Sequence, residues 1–368
     1  MKKALQQIAG RLPFGLSVVL NRAVLRLRLR DRFSLAKRRP ARVRLEELRH
    51  SVARLLRIDP DFVASDRREF IDASARSHSR SQELAQRCSE AVRTHASDAF
   101  YLRRFCLCCN EMMPMLVDHQ YGRVEEDGSR TPNWRERLVC SGCGMNNRQR
   151  LVAKLVQQFA ALHERPRIYL MEQVTPIFEW VRKLDAVEVH GSEYLGHEYQ
   201  GGERIKGVRH EDVMNLSYPD DSFELIVSND VLEHVPDPVR ALRECYRVLK
   251  RGGAVLATFP FHAGNDTTKV RATLVGDRVE HLLPAQYHGN PVSSDGSLVF
   301  QDFGWDLLDA MREAGFAPAH CECYASDEFG HLGTGLLVFR FCKPAQRVSF
   351  TAGNEPSGPS ARATSAKR

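Results

Sequence analysis

The stretch that most constrains this chain is 211-EDVMNLSYPDDSFELIVSNDVLEHVPDPVRALRECYRVLKRGGAVLATFP-260. Phe223 to Ser228 is a short apolar run of strand length, and Asp237 followed by Pro238 is an N-cap with proline at the first helical position. Val239, Leu242, Tyr246 and Leu249 then recur at helical spacing, which predicts a helix over 238–249 with one apolar face. Gly252 and Gly253 read as its left-handed stop, after which 254-AVLATF-259 begins a second strand. A strand, crossover helix and strand belong to a parallel sheet, whose ligands bind outside the carboxyl ends of the strands. Ser228, Asn229 and Asp230 stand at that edge.

Short apolar runs and helical patterns alternate on both sides of this unit, so the expected class is α/β. The predicted strands are Arg167 to Met171, Ala186 to His190, Gly207 to His210, Phe223 to Ser228, Ala254 to Phe259, Ala317 to Cys323 and Gly335 to Cys342. Helices are predicted at Arg148 to Leu162, Pro176 to Lys183, Pro238 to Leu249 and Trp305 to Ala314. This assigns 151–343 to one α/β domain with a seven-stranded sheet and helices on both faces.

Upstream the composition changes twice. Residues 1–60 hold sixteen Lys/Arg against four Asp/Glu, so the net charge of +7 comes from a basic arm on a mildly acidic remainder. Such an arm attracts anionic lipid, nucleic acid or an acidic protein, or is simply a solvated segment. Region 1–100 is read as mainly helical, from spacings such as Leu45, Leu48, Val52, Leu55 and Leu56. In 101–150, Cys106-x-x-Cys109 and Cys140-x-x-Cys143 are thirty residues apart and flank the polar loop 124-VEEDGSRTPN-133. Four thiolates at that spacing suit a closed structural zinc site, with Cys108 a competing ligand and free thiols the plainer option. The tail 344–368, rich in Ser, Gly, Pro and Ala, is expected to be disordered.

The string D-x-S-F-E, then L-E-H-V-x-D, then R-V-L-K-x-G-G resembles the class I S-adenosylmethionine-dependent methyltransferases that act on small molecules. The resemblance covers about half the chain and implies a Rossmann-like methyltransferase sheet with S-adenosyl-L-methionine as cofactor. It also implies site roles. Glu172, at the end of the first strand, would face the methionine amino group. Glu193 would accept hydrogen bonds from the ribose hydroxyls, Asp212 would approach the adenine amino group, and Asn229 or Asp230 would lie beside the methionine moiety. Where such enzymes carry a glycine-rich loop, this chain has 172-EQVTPIFEW-180, in which Thr175 and Pro176 read as a helix cap. That counts against NAD, FAD and ATP, whose phosphates need the glycines, more than against a cofactor without phosphate. The string 138-LVCSGCGMNNRQRLVAKLV-156 is similar to a bacterial group with a cysteine-pair module before the first strand, in which zinc would support folding.

Residues 261–305 are too long for a simple connection and are read as the acceptor pocket or lid. An oxygen acceptor needs a proton removed, which suits histidine. His288 is the first candidate and His262 the second; His281 is a weaker one, and His234 is expected to pack behind the cofactor. The expectation is methyl transfer to oxygen of a small-molecule or glycan acceptor. Two rivals remain: an RNA methyltransferase using the zinc module and basic arm, with nucleic acid not favoured because aromatics are sparse there, and a non-catalytic binding protein with a decayed cofactor site. The chain has no run of eighteen apolar residues, and Leu12 to Leu20 lacks a cleavage pattern, so the expected place is the cytoplasm, with peripheral membrane contact through the basic arm.

Overall fold

The computed structural model describes residues 57–345 apart from 96, 186 and 277. The basic arm, the Leu45 to Leu56 spacing and the tail from 346 onward lie outside the described residues.

The described chain opens with β1 (Phe62–Ala64), α1 (Arg67–Arg76) and α2 (His78–Thr94). The cysteine unit follows as β2 (Ala99–Cys106), β3 (Glu111–Asp118), the small hairpin β4 (Arg123–Val124) with β5 (Arg130–Thr131), and β6 (Val139–Cys140). Next come α3 (Asn147–Ala160), β7 (Arg167–Leu170), α4 (Pro176–Val181), β8 (Glu188–Gly191), the hairpin β9 (Arg204–Ile205) with β10 (Val208–Arg209), β11 (Phe223–Asn229), α5 (Pro238–Val248) and β12 (Leu249–Thr258). After the insertion come α6 (Asp306–Glu313), β19 (Ala319–Ser326) and β20 (His331–Cys342).

The central sheet has seven strands in the order β1-β19-β20-β12-β11-β7-β8. Within it β12, β11, β7 and β8 run parallel, and β20, β19 and β1 are antiparallel to their neighbours. Alternation along each parallel strand sorts the core into two layers. Tyr169, Ile226 and Val255 face α5 and α6, while Ile168, Leu225 and Leu256 face α3 and α4. A sheet covered on both faces explains why these strands read as continuous apolar runs.

Two sequence expectations are corrected. Residues 207–210 do not form a sheet strand. Lys206 and Gly207 both have positive φ, which makes a tight two-residue hairpin turn, and the segment meets the chain just past β8, through Glu193 N to Arg209 O and an isolated parallel bridge from His210 to Glu193. The seventh strand is instead Phe62–Ala64, from the region read as helical; it pairs with Cys321–Cys323. A third difference is smaller. Gly252 does take a left-handed φ of 77°, but the helix has ended at Val248 and both glycines sit in a bulge within β12.

The insertion is organised as β-structure: β13 (Lys269–Val270) pairs with β18 (Gln301–Asp302), β14 (Ala272–Val275) with β15 (Arg278–His281), and β16 (Tyr287–Asn290) with β17 (Ser293–Leu298). The cysteine unit packs on α2 through Leu84 and Cys88 and reaches Leu332 of β20. No helix among the described residues is long and apolar enough to cross a membrane.

Candidate functional site

The carboxyl ends of β7, β8 and β11 bring Glu172, Glu193 and Asn229 to one edge. Glu172 is buried and accepts a hydrogen bond from Asn229 Nδ2 at 2.5 Å. Burial pushes its pKa up, against the opposing hydrogen bonds from Thr175 and Asn229. The glycine-free loop is held in an unusual way. Glu193 Oε1 accepts from the backbone amides of both Gln173 (2.6 Å) and Val174 (2.9 Å), so one oxygen ties the loop down and Oε2 stays out of these bonds. Burial raises the Glu193 pKa, and the two amides oppose the shift. Thr175 caps α4 as its sequence foretells, accepting from Phe178 N.

The close approach that a glycine loop would provide occurs one strand away. A Cβ on Gly191, at the end of β8, would lie 2.3 Å from Phe178 Cε2 and 2.7 Å from the Glu172 carbonyl oxygen. Gly191→Ala is therefore expected to lower stability by about 1–3 kcal/mol, an overpacking cost. A urea titration that matched the parent protein would show that the strand-end packing is looser than this.

Asp212 follows the Glu193–His210 bridge; its Oδ1 accepts from Met214 N at 2.8 Å. With Tyr194, His210 and Asn215 it lines a cavity of about 520 Å³. The predicted cofactor positions Asn229, Glu172 and Glu193 thus follow one another at the ends of β11, β7 and β8, and Asp212 stands beyond Glu193.

Asp230 is engaged differently. Its φ of 52° turns the chain sharply at the strand end, a conformation that Asp tolerates better than most residues. Arg135 of the cysteine unit grips its carboxylate with two bonds, at 2.7 and 2.5 Å. Arg148 of α3 lies 3.3 Å away and also binds Glu136. Thr258 adds a hydroxyl at 3.0 Å. Two arginines and two carboxylates, Asp230 and Glu136, therefore form a closed square between the cysteine unit and the site. Burial would raise the Asp230 pKa, but the arginines outweigh it and hold the carboxyl well below the usual range. Sequence reading missed Arg135, Glu136 and Arg148, which look like ordinary charges between a loop and a helix.

Of the candidate histidines, the fold brings His288 and His234 together, ring centroids 5.0 Å apart, beside the buried Glu233. The His234 Nδ1 is 2.8 Å from Leu298 O, and Phe300 N donates to Glu233 O at 2.8 Å, so the insertion is pinned to the L-E-H turn. Burial lowers the pKa of both imidazoles, which favours the neutral form. His262 is exposed and bonded only through its backbone to Phe303 and Asn265, and His281 lies exposed at the end of β15.

The sulfurs of Cys106, Cys109, Cys140 and Cys143 lie within 4.8 Å of one another. Cys106 to Cys143 is 3.9 Å and Cys109 to Cys140 is 3.7 Å. Thiolates at 2.3 Å around a tetrahedral zinc stand about 3.8 Å apart, so the set fits that ion and is too open for disulfides. Cys108 is not a member of the set; its Sγ points to Arg150 O at 3.4 Å.

Comparison with known proteins gives a match of residues 183–257 to the family model described as a methyltransferase domain. A Geobacillus demethylmenaquinone methyltransferase is 34% identical over 170 residues, 40% of this chain and 68% of that protein. A chloroplastic 2-methyl-6-phytyl-1,4-hydroquinone methyltransferase of Oryza sativa is 47% identical over 51 residues, 14% of this chain and 16% of that protein. The chain spans about a quarter or less of the length of the first curated relatives it matches. A solved methyltransferase from Mesorhizobium loti aligns at 18% identity and a TM-score of 0.34, covering 53% of this chain and 97% of the other.

Proposed function

The chain belongs to the S-adenosylmethionine-dependent methyltransferases, and we propose that it transfers a methyl group from that cofactor to oxygen of a small-molecule or glycan acceptor. The observation that carries this reading is the run of Asn229, Glu172 and Glu193 at or just past the ends of the adjacent strands β11, β7 and β8, with Asp212 beyond Glu193 through the His210 bridge and Glu193 fixed by two loop amides. Bound there, the sulfonium supplies the methyl group. Glu193 would meet the ribose through Oε2, Asp212 the adenine, and Glu172 with Asn229 the methionine end. The acceptor lies toward the insertion, where Glu233, His234 and His288 close the site. His288, kept neutral by burial, is the group placed to take a hydroxyl proton, while His262 lies outside this corner. Alignment of acceptor and methyl carbon supplies most of the rate, so a pocket built on β-hairpins is better suited than a loose loop. The quinone-type acceptors in the relatives' names are small molecules as well. The cysteine set would hold zinc as a closed structural ion.

Calorimetry with S-adenosylmethionine tests the reading. The zinc-loaded protein should bind it, and Glu193→Ala should weaken binding by roughly 10- to 100-fold, the worth of a hydrogen bond to a charged group. A thermal melt of the same variant separates lost binding from lost folding. A folded parent chain that takes up no cofactor would sink the proposal.

A further inference from the structure

Glu233 is the most isolated buried charge in the site. Its side chain is 1% exposed, and neither carboxylate oxygen has a hydrogen-bond partner. An ionised carboxylate out of water and without a partner is costly enough that folds avoid it. The cations nearby are already committed, because Arg135 and Arg148 are shared between Asp230 and Glu136.

What does face Glu233 is a pair of imidazoles. His234 Nε2 is 3.7 Å and His288 Nδ1 is 3.9 Å from Oε1, both beyond hydrogen-bond length. The three ligand atoms lie within 4.8 Å of one another. The protonation of His234 is set by its other nitrogen. Nδ1 faces the Leu298 carbonyl at 2.8 Å, and a carbonyl only accepts, so Nδ1 carries the hydrogen and Nε2 presents a lone pair to the carboxylate. That is the orienting bond that metal-ligating histidines ordinarily make. His288 Nε2 is 3.2 Å from the Gln286 amide nitrogen, which donates to it, so Nδ1 carries the hydrogen; an ion at Nδ1 would displace that proton and turn the amide over, so that its oxygen accepts from Nε2.

We infer that Glu233, His234 and His288 form a binding site for a divalent transition-metal cation. Tetrahedral bonds of about 2.1 Å put donors about 3.4 Å apart, so the 3.7 and 3.9 Å separations from Glu233 close by a few tenths of an ångström, and ring rotations bring the histidine pair in with them. Two imidazoles and one carboxylate suit zinc, cobalt, nickel or ferrous iron better than magnesium or calcium. Three protein ligands leave positions open for water or an acceptor oxygen. The role of the ion in catalysis rests on the methyl-transfer reading, whereas its binding does not. With the ion seated, His288 would be a ligand in place of the base role given above, and the ion would acidify the acceptor hydroxyl, whose proton would pass to solvent as the new O–C bond forms and the S–C bond breaks.

The test is a titration of the zinc-loaded full chain with Co²⁺, followed by calorimetry and visible absorption. One further equivalent should bind without the charge-transfer band of a thiolate site. Glu233→Gln and His288→Ala should each weaken it by more than the roughly 10- to 100-fold that loss of an outer-shell partner costs, and His262→Ala should leave it unchanged. No uptake beyond the zinc, or the parent's affinity retained in either ligand variant, overturns the inference. Cofactor binding without Co²⁺ binding overturns the metal site alone, and Co²⁺ binding without cofactor binding overturns the methyltransferase reading alone.

Discussion

Stripping the zinc proposed for Cys106, Cys109, Cys140 and Cys143 with a strong chelator, under reducing conditions, is expected to unfold the cysteine unit and loosen the strand-end edge with it. The unit has little else to hold it. Its core comprises Phe100, Leu102, Met115, Val117, Trp134 and Leu138 around two of the cysteines themselves, with α2 and Leu332 closing the sides. A core of this size is marginal by itself. Structural zinc contributes roughly 10–16 kcal/mol of apparent binding energy in isolated finger peptides, and that energy is folding energy. Two tryptophans report the event. Trp134 is buried in the unit, and Trp180 of α4 donates from Nε1 to Cys108 O at 3.2 Å, so its emission reads the contact across to the α/β domain. One zinc per chain should be released as both signals change and cofactor affinity falls. A zinc-free chain that kept the parent melting temperature would remove the structural role.

How much of this was open to sequence reading depends on whether an element is specified locally. α5 was readable because its cap, proline and apolar stripe are all within one segment, and Asp237 does accept from Arg240 N at 2.9 Å. β7 and β11 were readable because a strand covered on both faces carries a near-continuous apolar run, here Ile168 to Leu170 and Leu225 to Val227. Phe62–Ala64 was not, since three residues of mixed burial become a strand only when β19 offers an edge. The hairpin at Lys206-Gly207 overrode the expected third strand for the opposite reason, a strong local turn. The positions of Glu172 and Asn229 could be read by counting strand ends, since each stands at the end of an apolar strand. The isolation of Glu233 could not, because it is sealed by Leu298 and Phe300 from an insertion more than sixty residues on. Arg135 was equally hidden, since only the folded cysteine unit delivers it to Asp230.

Arg135→Ala is the substitution in which that delivery can be measured. In the parent chain two guanidinium groups balance two carboxylates, and none of the four side chains is more than 27% exposed. Removing Arg135 leaves Arg148 alone between Asp230 and Glu136, an uncompensated charge in a site that water reaches poorly. The expected cost is about 3 kcal/mol, the low end for breaking a buried pair, because Arg148 and Thr258 stay with Asp230. Lysine should restore only part of it, since an ammonium cannot grip both oxygens. The sign with pH follows from the depressed Asp230 pKa. Its stabilisation is present above the unfolded carboxyl value of about 4 and is lost as pH falls from there through the folded value. The gap between parent and Arg135→Ala in urea unfolding should therefore be full near pH 7 and narrow below about pH 4. Arg130→Ala, which breaks an exposed pair with Asp98, should cost at most about 1 kcal/mol and serves as the control. If the two variants unfolded alike, the square would be a surface ion pair in all but position. If Arg135→Ala alone is weakened, and binds cofactor less tightly as well, the cysteine unit is a working wall of the site and not an appendage.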